Sequence, residues 1–193
     1  MNRRLVVASH NAHKLREISE ILPGWEIVPE SPDVEETEST FAGNARLKAL
    51  AVARLHPGAW VMADDSGLCV DALGGDPGVF SARYAGKDGD SPANNALLLK
   101  NLDGVEDRSA HFTCAIALVS PEGTVTDLEG RCNGRIAMGA SGAAGFGYDP
   151  LFIPDGYSVT FAELPAEGKN AISHRGRALA KLKEHFAAIS AGV

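Results

Sequence analysis

Cysteine is scarce: the 193-residue chain has three, and Cys69, Cys114 and Cys132 show no C-x-x-C pairing. A zinc knuckle and a redox dithiol are excluded, and the thiols are expected reduced, in or near the core. No apolar run approaches the ~20 residues that span a bilayer. The opening MNRRLVVAS turns polar too early for a secretory signal, so the expected location is the cytoplasm. Positive charge is also short. With 18 Lys and Arg against 25 Asp and Glu the net charge is −7, and no basic patch offsets it, which disfavours a nucleic-acid polymer or an anionic membrane as partner. A small anion held by a few local cations is compatible with this balance. The phosphate loop G-x-x-x-x-G-K-[ST] is missing, as are internal repeats and low-complexity linkers.

What is present alternates. Residues 5–8 read as a buried strand, and Leu15, Ile18 and Leu22 at helical spacing predict a helix over about 12–22 that stops at Pro23-Gly24. A second strand over 25–28 leads into an acidic, breaker-rich loop over 31–40, followed by a helix over about 41–55. Residues 59–63 form an apolar strand that the run Asp64-Asp65-Ser66-Gly67 is expected to stop. A surface helix over 92–102, a hairpin of 112–119 with 124–132 around Pro-Glu-Gly, a glycine-rich loop over 139–150 and a helix over about 173–189 complete the chain. With 45% hydrophobic residues the chain has enough apolar surface for a sizeable core, in one domain spanning 1–193 with two lobes. The fold class is α/β, and the hairpin argues for a mixed, twisted sheet flanked by helices.

Several polar groups sit where packing alone would not put them. Ser9-His10-Asn11-Ala12-His13-Lys14 joins the first strand to the first helix, where unpaired N–H groups and the helix dipole favour a phosphate and Lys14 adds a full charge. A plain Ser or Asn cap followed by a solvated Lys explains the same residues without a ligand. On the second helix Phe41, Asn44, Lys48, Val52 and Leu55 fall on one stripe, so Asn44 and Lys48 should meet an anion or a carboxylate. The alternative makes Leu47 and Leu50 the buried face and lets Lys48 reach out along its edge.

Asp64 and Asp65 cannot share a face of an extended strand. One is expected to bind metal or activate water and the other to orient it, and Gly67 allows a turn that brings both to one site; capping of a turn is the plainer reading. With Glu35, Glu36 and Glu38 they make a hard oxygen set suited to Mg²⁺. Zinc is disfavoured without paired His or Cys spacing. In Gly145-Phe146-Gly147-Tyr148-Asp149-Pro150, glycines permit close approach of a flat ligand, an aromatic ring can stack on a base and Asp149 can accept a base N–H; a tight turn with core aromatics fits as well. Arg175 shares a stripe with Ile172, Leu179, Leu182 and Phe186, so it should point inward and needs an acceptor. If Ser173 caps that helix, His174 and Arg175 occupy its first turn. His10, His13, His56, His111 and His185 lack metal spacing.

Taken together, these segments resemble the inosine triphosphate pyrophosphatase family across nearly the whole chain. The matching motifs are Ser9-x-Asn11-x-x-Lys14, Thr40-Phe41-x-x-Asn44-x-x-x-Lys48, Ala63-Asp64-Asp65-Ser66-Gly67-Leu68, Gly74-Gly75-x-Pro77-Gly78-x-x-Ser81-Ala82-Arg83-Tyr84, Gly145 to Pro150 as above, and Ser173-His174-Arg175-Gly176. The resemblance implies a two-lobed α/β fold with a long mixed sheet and an active-site cleft between the lobes, a homodimer, and Mg²⁺-dependent cleavage of non-canonical purine nucleoside triphosphates such as ITP, dITP and XTP to monophosphate and pyrophosphate. It implies that Ser9, His10, Asn11, Ala12, His13 and Lys14 bind the triphosphate with Asn44 and Lys48 nearby. Asp65 is implied as catalytic acid/base and metal carboxylate, with Asp64 beside it and Ser66 at the substrate. Phe146, Gly147, Tyr148, Asp149, Lys169, His174 and Arg175 correspond to the nucleotide and base pocket, and Glu36 is chosen over Glu35 as second metal ligand. His10 departs from the Gly that relatives often carry there.

The expected chemistry is attack of water, deprotonated by Asp65, on the α-phosphorus, with Lys14 and Lys48 neutralising charge on the departing pyrophosphate. A non-catalytic nucleotide sensor is the rival from another class, and it has little reason to crowd carboxylates against phosphate. An aspartyl-phosphate phosphatase is a third reading, which adjacent aspartates fit poorly.

Overall fold

The computed structural model describes residues 3–192; the reading of the opening segment falls in part on Met1 and Asn2, outside the described residues. In chain order the elements are β1 (Arg3–Ala8), α1 (Ala12–Ile21), β2 (Trp25–Glu30), α2 (Phe41–Ala53), β3 (Trp60–Val70), α3 (Ser91–Asn101), β4 (Ser109–Val119), β5 (Val125–Ile136), β6 (Phe152–Pro154), α4 (Ala166–Ile172) and α5 (His174–Ala191). The six strands form one sheet in the order β2-β1-β3-β4-β5-β6. It is mixed, as expected: β1 runs parallel to both β2 and β3, and β5 runs antiparallel to β6. No helix among the described residues is long and apolar enough to cross a membrane.

The chain divides into two compact units. The first comprises Met1–Asp65, Cys114–Gly130 and Arg175–Val193. Its strands alternate, and the two sets of side chains feed two cores. Leu5, Val7, Met62, Ile116 and Leu118 pack with Ile18 and Leu22 of the α1 segment and with Ala178, Leu179, Leu182 and Phe186 of α5. Val6, Ala8, Val61, Ala63, Ala117 and Val119 pack with Ala45, Ala49 and Val52 of α2. Small residues on α2 let that helix lie close to its strands. Each buried Leu, Ile or Val contributes about 1.5–3 kcal/mol. The side-chain oxygen of Asn11 caps α1 by accepting from the N–H groups of His13 and Lys14, and Thr40 caps α2 by accepting from Gly43.

The second unit comprises Ser66–Thr113 and Arg131–His174. Its core gathers Leu68, Val70, Leu98, Leu102, Phe112, Ile136, Leu151, Phe152 and Phe161, with Phe112 edge-on to Phe152 and stacked over Phe161. Asp90 caps α3 by accepting from Ala93. None of the three cysteines is in a disulfide; Cys114 and Cys132 are buried and Cys69 is half-buried.

Three expectations are corrected. Asp64 and Asp65 do not stop their strand: β3 runs unbroken to Val70, because the ionic partners described below offset the cost of burying two carboxylates. On the second helix Leu55 lies beyond the end of α2 and is exposed, and the buried face is Asn44, Ala45, Lys48, Ala49 and Val52 rather than Leu47 and Leu50. Ile172 belongs to the separate helix α4 and packs against the second unit's core, not on the stripe of α5.

Gly134 of β5 shows how tightly the β5–β6 pair is seated. A Cβ there would lie 2.3 Å from the Ile153 carbonyl oxygen and 2.7 Å from the Phe152 ring. Gly134→Ala is expected to destabilise the protein by about 1–3 kcal/mol in urea unfolding, and an unchanged midpoint would show that the pair yields freely.

Candidate active site

The alternation that builds the first unit's cores also fixes its acidic pair. Asp64 follows Met62 on the face packed by α1 and α5; Asp65 follows Ala63 on the face packed by α2. Each meets the cations of its own face. Asp64 Oδ2 lies 3.3 Å from Lys14 Nζ of α1 and accepts from Nε and Nη2 of Arg175, on α5, at 3.3 Å each. Asp65 Oδ1 lies 3.8 Å from Lys48 Nζ of α2. Lys48 Nζ also donates to the Asp64 carbonyl oxygen at 2.8 Å and pairs with Glu36 Oε1 at 2.8 Å.

The two neighbours ionise differently. Burial alone would raise Asp64, which is 2% exposed, but Lys14, Arg175 and Lys48 hold its carboxyl well below the usual carboxylate range. Asp65 is pushed up to about 6, by burial first and then by the negative charges of Glu36 and Asp64, against the opposing pull of Lys48 and Lys14. Lys48 itself is driven down by burial and more strongly up by Asp65, Asp64 and Glu36, so it stays charged. Paired carboxylates with divergent affinities for a proton divide the roles of fixed anion and proton acceptor.

Sequence reasoning found Arg175 and its need for an acceptor but missed Glu17. The carboxylate of Glu17, buried on α1, accepts from Arg175 Nη1 at 2.5 Å, so the guanidinium is shared between Glu17 and Asp64. The available signal was local: Glu17 is one turn from Lys14, on the face that carries the inward cation. Arg175 was expected at the base pocket; its Nε, Nη1 and Nη2 are engaged by these carboxylates, with the side chain 2% exposed.

The Ser9 to Lys14 segment is arranged differently from the expectation of unpaired amides. Ser9 Oγ accepts from Asn11 N at 3.1 Å, and Asn11 Oδ1 already takes the N–H groups of His13 and Lys14. His10, Asn11, Ala12 and His13 are exposed and Lys14 is half-buried. Asn44 was expected to meet an anion or carboxylate. It is fully buried, and its amide instead accepts from Glu38 N at 3.0 Å and donates to Glu38 O at 3.2 Å, so the N–H and C=O of one residue satisfy both halves of a primary amide. In the acidic loop Glu36 is half-buried against Lys48, whereas Glu35 and Glu38 are exposed.

Among the described residues no group of three or more His, Cys, Asp or Glu could hold a metal ion. A site for Mg²⁺ needs less, because that ion keeps several waters and takes one or two carboxylates together with substrate phosphates. Asp65 Oδ2 is buried without a hydrogen-bond partner, and Glu36 and Asp65 both lie against Lys48, so the donor set fits a hard divalent cation.

In the second unit the Gly145 to Pro150 loop is tied by one ion pair. Asp149 Oδ2 accepts from Lys169 Nζ at 2.7 Å and from Phe146 N at 2.9 Å, with both charged side chains buried. A Cβ on Gly145 would meet that same oxygen at 2.1 Å, so only glycine fits. The Lys169 ammonium sits 4.9 Å from the centre of the Phe146 ring. Tyr148 is a core residue whose hydroxyl donates to the Ser81 carbonyl oxygen at 2.7 Å, and Gly147 O accepts from Asn95. His174 stacks on Phe112 with ring centres 4.6 Å apart, and Ser66 is half-buried. This element offers a flat aromatic ring, a buried cation and a buried carboxylate.

The raised Asp65 has a measurable consequence. The folded protein keeps its proton to about pH 6, whereas the unfolded chain releases it near the ordinary 3.8. Between those values the folded state binds more protons, so stability falls as pH rises, and ionised Asp65 costs the metal-free protein on the order of 3 kcal/mol above pH 7. Asp65→Asn is therefore expected to be more stable than the parent by that order in metal-free urea unfolding at pH 7.5, with the gap closing below pH 4. A variant no more stable than the parent at pH 7.5 would contradict the strained carboxylate.

Comparison with known proteins identifies the family. The model of the Ham1 family matches residues 5–185. The chain is 50% identical to the dITP/XTP pyrophosphatase of Leifsonia xyli, over 97% of each protein, and 52% identical to that of Geobacter sulfurreducens, over 95% of this chain and 96% of the relative. The solved structure of the Staphylococcus aureus Ham1 protein superposes with a TM-score of 0.86 at 41% identity, covering 96% of this chain and 98% of that one. A match over nearly the full length at this identity makes the chain a member of the Ham1 family.

Proposed function

We propose that the chain is a nucleoside triphosphate pyrophosphohydrolase that converts ITP, dITP and XTP to the monophosphate and pyrophosphate with Mg²⁺ as cofactor. The observation that carries this reading is the split pair on β3: Asp64 permanently ionised among Lys14 and Arg175, and Asp65 raised to about 6 beside Lys48. The relatives named dITP/XTP pyrophosphatase support the choice of substrate.

Asp65 is the general base. An acceptor poised near the operating pH is ionised at neutrality yet basic enough to take a proton from water as it attacks the α-phosphorus. Asp64 fixes Lys14 and Arg175, and Lys14 and Lys48 offer positive charge to the leaving pyrophosphate. Glu36 and Asp65 would hold Mg²⁺, which when bound supplies charge neutralisation and orientation for the phosphate oxygens. Phe146 stacks on the base, while Lys169 and Asp149 hold its loop.

Hypoxanthine and xanthine carry a keto oxygen at position six where adenine carries an amine. Donors such as His174 and the loop N–H groups accept the former and are left unpaired by the latter, and a site built on such pairs discriminates by up to ~10⁴. Incubation with ITP, dITP, XTP and ATP plus Mg²⁺ is expected to release pyrophosphate from the first three and little from ATP, and Asp65→Asn is expected to lower turnover by about 10²–10⁴. Orthophosphate as first product, tight ITP binding without turnover, or near-normal rates in the variant would contradict the reading.

A further inference from the structure

The acidic loop that carries Glu36 is held to α2 at two points of different character. One is ionic, the Lys48 to Glu36 contact at 2.8 Å. The other is neutral: the Asn44 amide, one turn earlier on the same helix, grips the backbone of Glu38 through both its oxygen and its nitrogen. Helix capping does not need this amide, because Thr40 already caps α2. Gly43 completes the seat. A Cβ there would lie 2.7 Å from Glu38 Cβ and 2.9 Å from its Cγ, so residue 38 rests directly on the first turn of α2.

The two anchors respond oppositely to a cation. A divalent ion bound by the Glu36 carboxylate competes with the Lys48 ammonium for the same oxygens and repels it, so the ionic anchor weakens as the ion arrives. The amide grips main chain and carries no charge, so it is indifferent to the ion. Resting on the reading of Glu36 as a metal carboxylate, we propose that Asn44 is a positioning residue: by clamping the Glu38 backbone against α2 it keeps Glu36 in place for a divalent cation, and it contacts neither the cation nor the substrate.

Supporting partners of metal ligands typically change affinity by 10–100-fold. Mn²⁺ alone, titrated into the substrate-free protein and followed by the electron paramagnetic resonance of the free ion, is expected to bind Asn44→Ala at least about tenfold more weakly than the parent. In turnover, the same variant is expected to need about tenfold more Mg²⁺ for half-activation and to recover most of the parental kcat when Mg²⁺ is raised, with KM for ITP at saturating Mg²⁺ little changed. Gly43→Ala leaves the amide intact, favours the helix and displaces Glu38, so it is expected to shift Mn²⁺ affinity in the same direction and carries the test if Asn44→Ala does not fold. Glu36→Gln separates the two claims. If Glu36→Gln weakens Mn²⁺ binding while both Asn44→Ala and Gly43→Ala leave it unchanged, the clamp is overturned and the metal reading stands. If Glu36→Gln leaves Mn²⁺ binding unchanged, the metal reading falls and the clamp falls with it.

Discussion

The two-residue period of a β-strand governs this site. Because β3 continues through Asp64 and Asp65, adjacent carboxylates are sent to opposite faces of the sheet and meet different company: Lys14 and Arg175 from α1 and α5, Lys48 from α2. Had the strand turned at Ser66, the pair would share one environment and titrate as a coupled dyad. Separation instead lets one stay ionised at any working pH while the other holds its proton to about 6. The geometry that sorts apolar side chains into two cores therefore also sorts two acids into two roles.

The first unit concentrates charge to an unusual degree for a packed interior. Glu17, Glu36, Asp64 and Asp65 face Lys14, Lys48 and Arg175, and most of these side chains are buried. Such clusters are weak sources of stability, because desolvation offsets most of the Coulombic gain, while removing Glu17 or Asp64 would leave the buried Arg175 undercompensated and destabilise strongly; the strained Asp65 is the exception. Their use here is positional. Arg175 is gripped from two sides and Lys48 from three, so the cations have fixed places before any anion arrives and little reorganisation is needed when one does. In the second unit the Lys169 to Asp149 pair performs the same service for a loop, setting the backbone of Phe146 through the same carboxylate oxygen.

Elements with a clean period were readable in the sequence. The segments that became β1, α1, β2 and α2 lie within a few residues of their expected bounds, and the inward aim of Arg175 followed from its spacing to Leu179, Leu182 and Phe186. The extension of β3 was not readable, because what sustains buried carboxylates in a strand comes from Lys14, Lys48 and Arg175, which are distant in sequence. Helix α4 was hidden by Pro165 and Gly168, and β6 by its length of three residues. The role of Glu17 depends on the guanidinium of Arg175, which is distant along the chain. Asn44 stands out in the sequence as a polar group on an apolar stripe, but its partner is a backbone, which no residue pattern announces.

Asp64 and Asp65 differ in ionisation although they are neighbours in the chain. Carboxyl-carbon NMR of the metal-free protein, with Asp64→Asn and Asp65→Asn used to assign the two resonances, reads both titrations directly. One carboxyl is expected to titrate near 6 and its neighbour to stay ionised down to the acid limit of folding. Two carboxyls titrating together near the ordinary aspartate value would contradict it.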